Sequence, residues 1–169
     1  MNIAFFITQL AANAAVFRSL LENTTPEMQR LKPQADHWCL LEVVCHLLDE
    51  ENEDFRARMQ HIWTAPQAAM PRISPTTWVQ ARNYLQQNFE DTLHNFLQAR
   101  SESIRWLQSL DYPNWEISFS HPALGEVTPL FFLQNWLAHD YLHQRQIIKL
   151  KYLFLQQNIS SDLAYAGTW

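Results

Sequence analysis

Only two glycines, Gly125 and Gly167, occur among the 169 residues of this chain. The favoured hairpin turns need residues at positive φ, which glycine supplies most cheaply, so a sheet-rich fold would use more of them. The scarcity points to helices, and the apolar spacing agrees. Ile3, Phe6, Ile7, Leu10, Ala14, Phe17 and Leu21 recur at helical intervals and predict a first helix from Ile3 to about Leu21. Thr25 as a cap before Pro26 predicts a short helical turn to about Leu31. A second helix is expected from about Trp38 to Trp63, capped by Asp36 and stopped by Ala65-Pro66. A third runs from about Thr77 to Leu110, and a fourth, opened by Thr128 and Pro129, runs to about Leu155.

The connections are informative as well. Residues 64–76 carry Pro66, Pro71 and Pro75 and read as a loop long enough for a crossover that leaves helices two and three pointing the same way. Between helices three and four, Pro113, Pro122 and Gly125 break the pattern, and the alternation from Trp115 to Ser120 suggests extended chain. The tail from Gln156 to Trp169 is expected to be irregular. No repeat or linker divides the chain, so residues 1–169 are read as a single all-α domain, a four-helix bundle.

Composition narrows the class of partner. With 47% hydrophobic and 13% aromatic residues the chain should fold around a substantial core. Its net charge of −5, with no cluster of Lys or Arg, argues against nucleic acid and against an anionic membrane surface. Cys39 and Cys45 sit six apart on one expected helix, on roughly opposite faces and out of disulfide reach. The N-terminus lacks a basic segment, and Gln9 and Asn13 interrupt its apolar run, so neither a signal peptide nor a membrane span is expected. A cytoplasmic setting follows from these readings.

The chemistry concentrates in helix four. His139 and His143 are four residues apart and stand on one helical face, one turn apart, where both imidazoles can meet one metal ion. The zincin motif needs Glu directly after the first His, and Asp140 stands there instead. Di-iron bundles need Glu three residues before each His, and those positions hold Trp136 and Asp140. On helix two, Glu42, Glu50 and Glu53 share the side of His46, with Cys39 and Ala57. That stripe reads either as a solvated face or as a face turned toward helix four, bringing His46 to His139 and His143 as a third ligand.

The run Trp38-Cys39-Leu40-Leu41-Glu42-Val43-Val44-Cys45-His46-Leu47-Leu48-Asp49-Glu50-Glu51, continued by Asp54-Phe55-Arg56-Ala57-Arg58, resembles the second-helix signature of the DinB/YfiT-like superfamily. His121 to Thr128 followed by Trp136 to Gln146 is similar to its fourth-helix signature, and Phe96 to Leu110 to its third-helix segment. Cys39 departs from the pattern, since many relatives place Ser at that helix start. The resemblance implies an up-down-down-up bundle, often homodimeric, holding a divalent metal through three histidines that map to His46, His139 and His143. Zinc or nickel is the expected ion, with iron and manganese as further candidates. Relatives include thiol transferases and isomerases that use bacillithiol, mycothiol or glutathione, and others called hydrolases, so a low-molecular-weight thiol is a candidate cofactor and a small molecule the expected substrate. Glu50, one turn from His46, is the candidate general base. A non-catalytic metal-binding or dimeric module is the alternative reading. His37, His61, His94 and His121 read as surface or structural residues, Trp136 and Phe132 as core, and Asp140 and Gln146 as groups that could orient the imidazoles.

Overall fold

Caps decide where the helices begin. In the computed structural model, which describes residues 2–167, the side chains of Asn2, Thr25, Asn88 and Thr128 accept backbone N–H groups at the starts of α1 (Ile3–Leu21), α2 (Pro26–Arg30), α6 (Phe89–Ser109) and α7 (Pro129–Asn158). The expected second helix begins later than Asp36 would place it. It starts at Leu40, where the Glu42 carboxylate accepts the Cys39 backbone N–H at 2.9 Å, and Asp36 is exposed ahead of it.

That helix is also two helices, α3 (Leu40–Glu53) and α4 (Phe55–Thr64), separated at Asp54, whose φ of −111° and ψ of −100° are not helical. The expected third helix divides further. Its first part is α5 (Pro75–Ala81); Asn83 then takes a left-handed φ of 50°, a short 3-10 turn covers Tyr84–Gln86, and α6 restarts on the Asn88 cap. Asn tolerates that conformation because its short polar side chain bonds locally. The extended segment narrows to β1 (Phe119–His121), paired antiparallel with β2 (Gly125–Val127), a hairpin in which Gly125 has a φ of 73°. α7 runs three residues past the expected end, and residues 164–166 of the tail form a 3-10 turn; Trp169 lies outside the described residues.

Side-chain pairs give the direction of every helix. Gln9 meets Tyr141, Asn13 meets Asp140 and Leu20 meets Lys151, so α1 and α7 run parallel. Cys45 meets Thr92 and Glu51 meets Arg100, so α3 and α6 are parallel as well. Phe17 against Phe96 and Leu10 against Arg100 make α1 and α6 antiparallel, and Phe55 on Trp136 with Arg58 over Phe132 does the same for α4 and α7. The result is the expected up-down-down-up four-helix bundle.

The core has two apolar parts. One gathers Phe17, Leu21, Val44, Leu47, Phe96 and Ile147; the other gathers Leu10, Phe55, Met59, Ile62, Leu133 and Trp136. α1 is apolar and long enough to cross a bilayer by length and composition, and here it packs as a bundle helix through Phe6, Leu10, Phe17 and Leu21. Cys39 and Cys45 are buried free thiols. Ile148, on a side of helix four that reads as apolar, is exposed.

Candidate metal centre

The face of α3 that carries His46 is turned inward. Burial of Leu40, Val43, Val44 and Leu47 sets the rotation of the helix, and that rotation carries Glu42, His46 and Glu50 to below a tenth exposed. Glu53 alone of the acidic stripe is exposed, and Arg82 grips it through both carboxylate oxygens. The solvated-face reading therefore holds for Glu53 and fails for the other two.

Across from His46, α7 presents His139 and His143. The His139 Nε2 lies 3.2 Å from His46 Nε2 and 3.0 Å from His143 Nε2, and all three nitrogens fall within 4.8 Å of one another. Two nitrogens each about 2.1 Å from one ion, at roughly 90–110° to each other, lie about 3.0–3.4 Å apart, so the spacing is that of ligands around a shared cation. Hydrogen bonding among the rings explains it less well. His143 Nδ1 is 2.8 Å from Gln146 Oε1, an acceptor, so Nδ1 carries the proton and the Nε2 of His143 is a bare lone pair. A single proton on His139 Nε2 cannot serve both neighbours.

Electrostatics favour the same state. Burial pushes the His46 pKa down to about 3, with His143 adding to the shift. Burial also lowers His139, helped by His143, His46 and the Arg100 guanidinium, and lowers His143 against the opposing pull of Gln146 and Asp140. All three rings are neutral near pH 7, the form in which imidazole binds a metal. His46 Nδ1 is buried without a hydrogen-bond partner, and the Glu50 carboxyl stands 3.9 Å from it. Metal on Nε2 would fix the proton on Nδ1 and give that carboxyl something to accept, an arrangement common around metal-bound histidine. The donor set therefore fits a divalent ion. Burial, and the Asp54 carboxylate that accepts a hydrogen bond from the protonated acid, raise the Glu50 pKa to about 9, leaving it protonated near neutrality without an ion.

Aromatic rings enclose the histidines. The Trp38 indole lies 4.8 Å from the His46 ring, and Phe55 lies 5.2 Å from His139 while stacking on buried Trp136. Gln146 takes the orienting role expected of it. Asp140 does not: both of its oxygens are held by Arg100, at 2.7 and 2.8 Å, and Asn13 donates to one of them at 2.9 Å. Arg100 also donates to Glu51 at 2.9 Å, which completes a buried cluster drawing one side chain from each of α1, α3, α6 and α7. The signal for it was a single arginine on the apolar stripe of α6, four residues after Phe96 and four before Ile104.

The remaining histidines stay apart from this centre. His37 and His94 are exposed, His61 bonds the Ala68 carbonyl at 2.9 Å, and His121 Nδ1 accepts the N–H groups of Ala123 and Leu124 to close the hairpin turn.

Comparison with known proteins bears on the fold and the family. No curated protein matches the sequence. Among solved structures, YfiT from Bacillus subtilis, described as a probable metal-dependent hydrolase with an unusual four-helix bundle topology, superposes with a TM-score of 0.79 at 17% identity, over 91% of this chain and 90% of that one. At that identity the likeness shows the fold. The family model of the DinB superfamily matches residues 9–147, nearly the whole bundle with all three converging histidines inside it, and this chain therefore belongs to the DinB superfamily.

Proposed function

We propose that this protein is a metal-dependent enzyme of the thiol-transferase or hydrolase type, with His46, His139 and His143 as the ligands of a divalent ion. The observation that carries the reading is the convergence of three neutral imidazole Nε2 atoms from two helices, His139 Nε2 lying 3.2 and 3.0 Å from the other two and all three within 4.8 Å of one another, where one proton on His139 Nε2 cannot serve both neighbours. Bound there, the ion supplies Lewis acidity and lowers the pKa of a coordinated water or thiol toward neutrality. The chain's own residues do the rest: Gln146 holds the proton on His143 Nδ1, Glu50 stands beside His46 Nδ1, and Trp38 and Phe55 keep water from the backs of the rings. The solved neighbour described as a probable metal-dependent hydrolase supports the same reading.

Zinc or nickel suits an all-histidine set, and iron and manganese are the further candidates. Glu50 is proposed as general base once an ion lowers its pKa; Glu50→Gln should then abolish turnover while metal is retained. The test of the whole reading is metal content after expression with zinc, nickel, iron and manganese supplied, followed by a screen of small thiols with electrophiles and of simple esters and amides. Stoichiometric metal that His46→Ala abolishes, together with turnover, supports it. Metal without any turnover supports the non-catalytic module, and absence of metal ends both. A homodimer in the cytoplasm completes the proposal, and light scattering of the purified protein measures the oligomer.

A further inference from the structure

Beside the three histidines the surface is hollowed in a way that the metal reading does not use. His143 lines a depression of 680 Å³ together with Leu142, Arg145, Gln146 and Lys149. A second hollow of 580 Å³ lies between residues 33–38 and the last turns of α7, walled by Pro33, Trp38, Leu150 and Leu153. Gln146 and Lys149 line both, so the two hollows adjoin. Volumes of this size accept a small organic molecule.

Two contacts tie the hollows to the proposed metal. Trp38 forms a wall of the second hollow and lies 4.8 Å from the His46 ring; Gln146 forms a wall of both and hydrogen-bonds His143. A molecule seated on the apolar wall therefore touches the side chains that back two of the three histidines.

The rim carries charge of one dominant sign. Arg145 and Lys149 are four apart on α7, a spacing at which like charges repel, and among the described residues neither makes an ion pair or side-chain hydrogen bond. Asp36 stands on the far lip as the opposing charge. In a chain of net charge −5 this is an unneutralised cationic pair at the mouth of an apolar hollow. Lys149 lies six residues beyond His143, about 9 Å farther along the helix axis, which separates the charge from the metal by the length of a small organic body.

Resting on the metal reading, we infer that the substrate is an organic anion with an apolar body: the body lies against Trp38, with Leu150 and Leu153 closing the outer end of the hollow, Lys149 takes the carboxylate or phosphate, and the reacting group faces the histidines. Lys149 is then a specificity-determining residue.

The test uses 4-phenylbutyrate, 4-phenylbutylamine and phenylbutyl phosphate as probes, with calorimetry and ligand-observed NMR on zinc-loaded and metal-free protein. The acid and the phosphate should bind, and the amine, with the same body and opposite charge, about tenfold or more weakly. Lys149→Glu should weaken both anions about tenfold with zinc content unchanged, and the uncharged Leu153→Gln should remove part of the apolar wall and weaken all three. The stronger of the two anions identifies the headgroup. In cobalt-loaded protein the phenyl protons of the bound acid should broaden. Zinc uptake with equal binding of acid and amine, or anion binding indifferent to Lys149→Glu, overturns the inference and leaves the metal reading standing. Charge-selective binding by a protein that takes up no metal overturns the metal reading and this assignment with it.

Discussion

His139 and Asp140 are consecutive on α7 and point into two different polar clusters. Around Asp140 both oxygens are held: Arg100 binds it through two nitrogens, Asn13 adds a third bond, and Glu51 balances the far side of the guanidinium through one oxygen, its other oxygen being buried without a hydrogen bond. Around His139 the partners are alike. Three neutral rings present the same kind of atom to one point, and His46 Nδ1 is left without a bond. Both clusters lie at the mid-height of the bundle, between the two apolar parts of the core, with Asn13 between Leu10 and Phe17 and Glu51 between Leu47 and Phe55. Buried charge that is matched by opposite charge and hydrogen bonds fixes register among helices. Buried lone pairs that converge without donors call for something from outside the chain.

The sharpest way to break this contrast is Arg100→Met. It strands the carboxyls of Glu51 and Asp140 in the core and should destabilise the metal-free protein by about 3–5 kcal/mol in chemical denaturation. An effect below about 1 kcal/mol would make the cluster incidental.

Acid titration separates the two clusters by sign. The native pKa of His46 is depressed to about 3, so between that pH and its unfolded value near 6.5 the unfolded chain binds the extra proton. Stability contributed by neutral His46 is thus present above pH 6.5 and is lost as pH falls toward 3, by at most about 1.4 kcal/mol per pH unit. His139 and His143 are shifted in the same direction and add to the slope. Denaturation of metal-free protein from pH 7 to 5 should show the fall, and His46→Gln should flatten it; an unchanged slope would mean that His46 titrates normally.

Gln146→Ala should weaken zinc binding about 10–100-fold, since it frees the proton position of His143, while Asp140→Asn should act mainly on stability. Competition with a chromophoric chelator measures the first, and equal losses in both variants would erase the distinction between orienting and structural partners.

Glu50 should respond to pH in the sense opposite to the histidines. Its native pKa is raised to about 9, so its contribution is full below its unfolded value near 4.5 and is lost as pH rises toward 9. Glu50→Gln keeps the neutral form throughout and should stabilise the metal-free protein increasingly as pH rises from 5 to 8, by at most about 1.4 kcal/mol per pH unit, read as a shift in the denaturation midpoint.

Much of this was legible in the residues. Apolar spacing placed α1, α2 and α7 almost to the residue, because each has a strong polar cap and an uninterrupted period. The breaks at Asp54 and Asn83 left no mark on that period: apolar residues continue across both, and the side-chain contacts beside them, Arg82 with Asp49 and Glu53 and Tyr84 with Asp49, join residues distant in sequence. The hairpin was half visible, since alternation marks a strand and not the strand it pairs with.

The candidate centre divides the same way. Spacing alone set His139 and His143 on one face, since four residues are one turn; the helical wheel offered His46 as a third ligand in one of two readings, and the family likeness favoured that one. Only packing decided that the acidic face of α3 turns inward, because a helical wheel gives the relative angles of side chains and never the direction the wheel faces. Only packing gave Asp140 to Arg100 instead of to a neighbouring imidazole, and laid Trp38 and Lys149 around one hollow. Local sequence determines the period and the caps; which face is buried, and what stands opposite it, is settled by the burial of residues far apart in the chain.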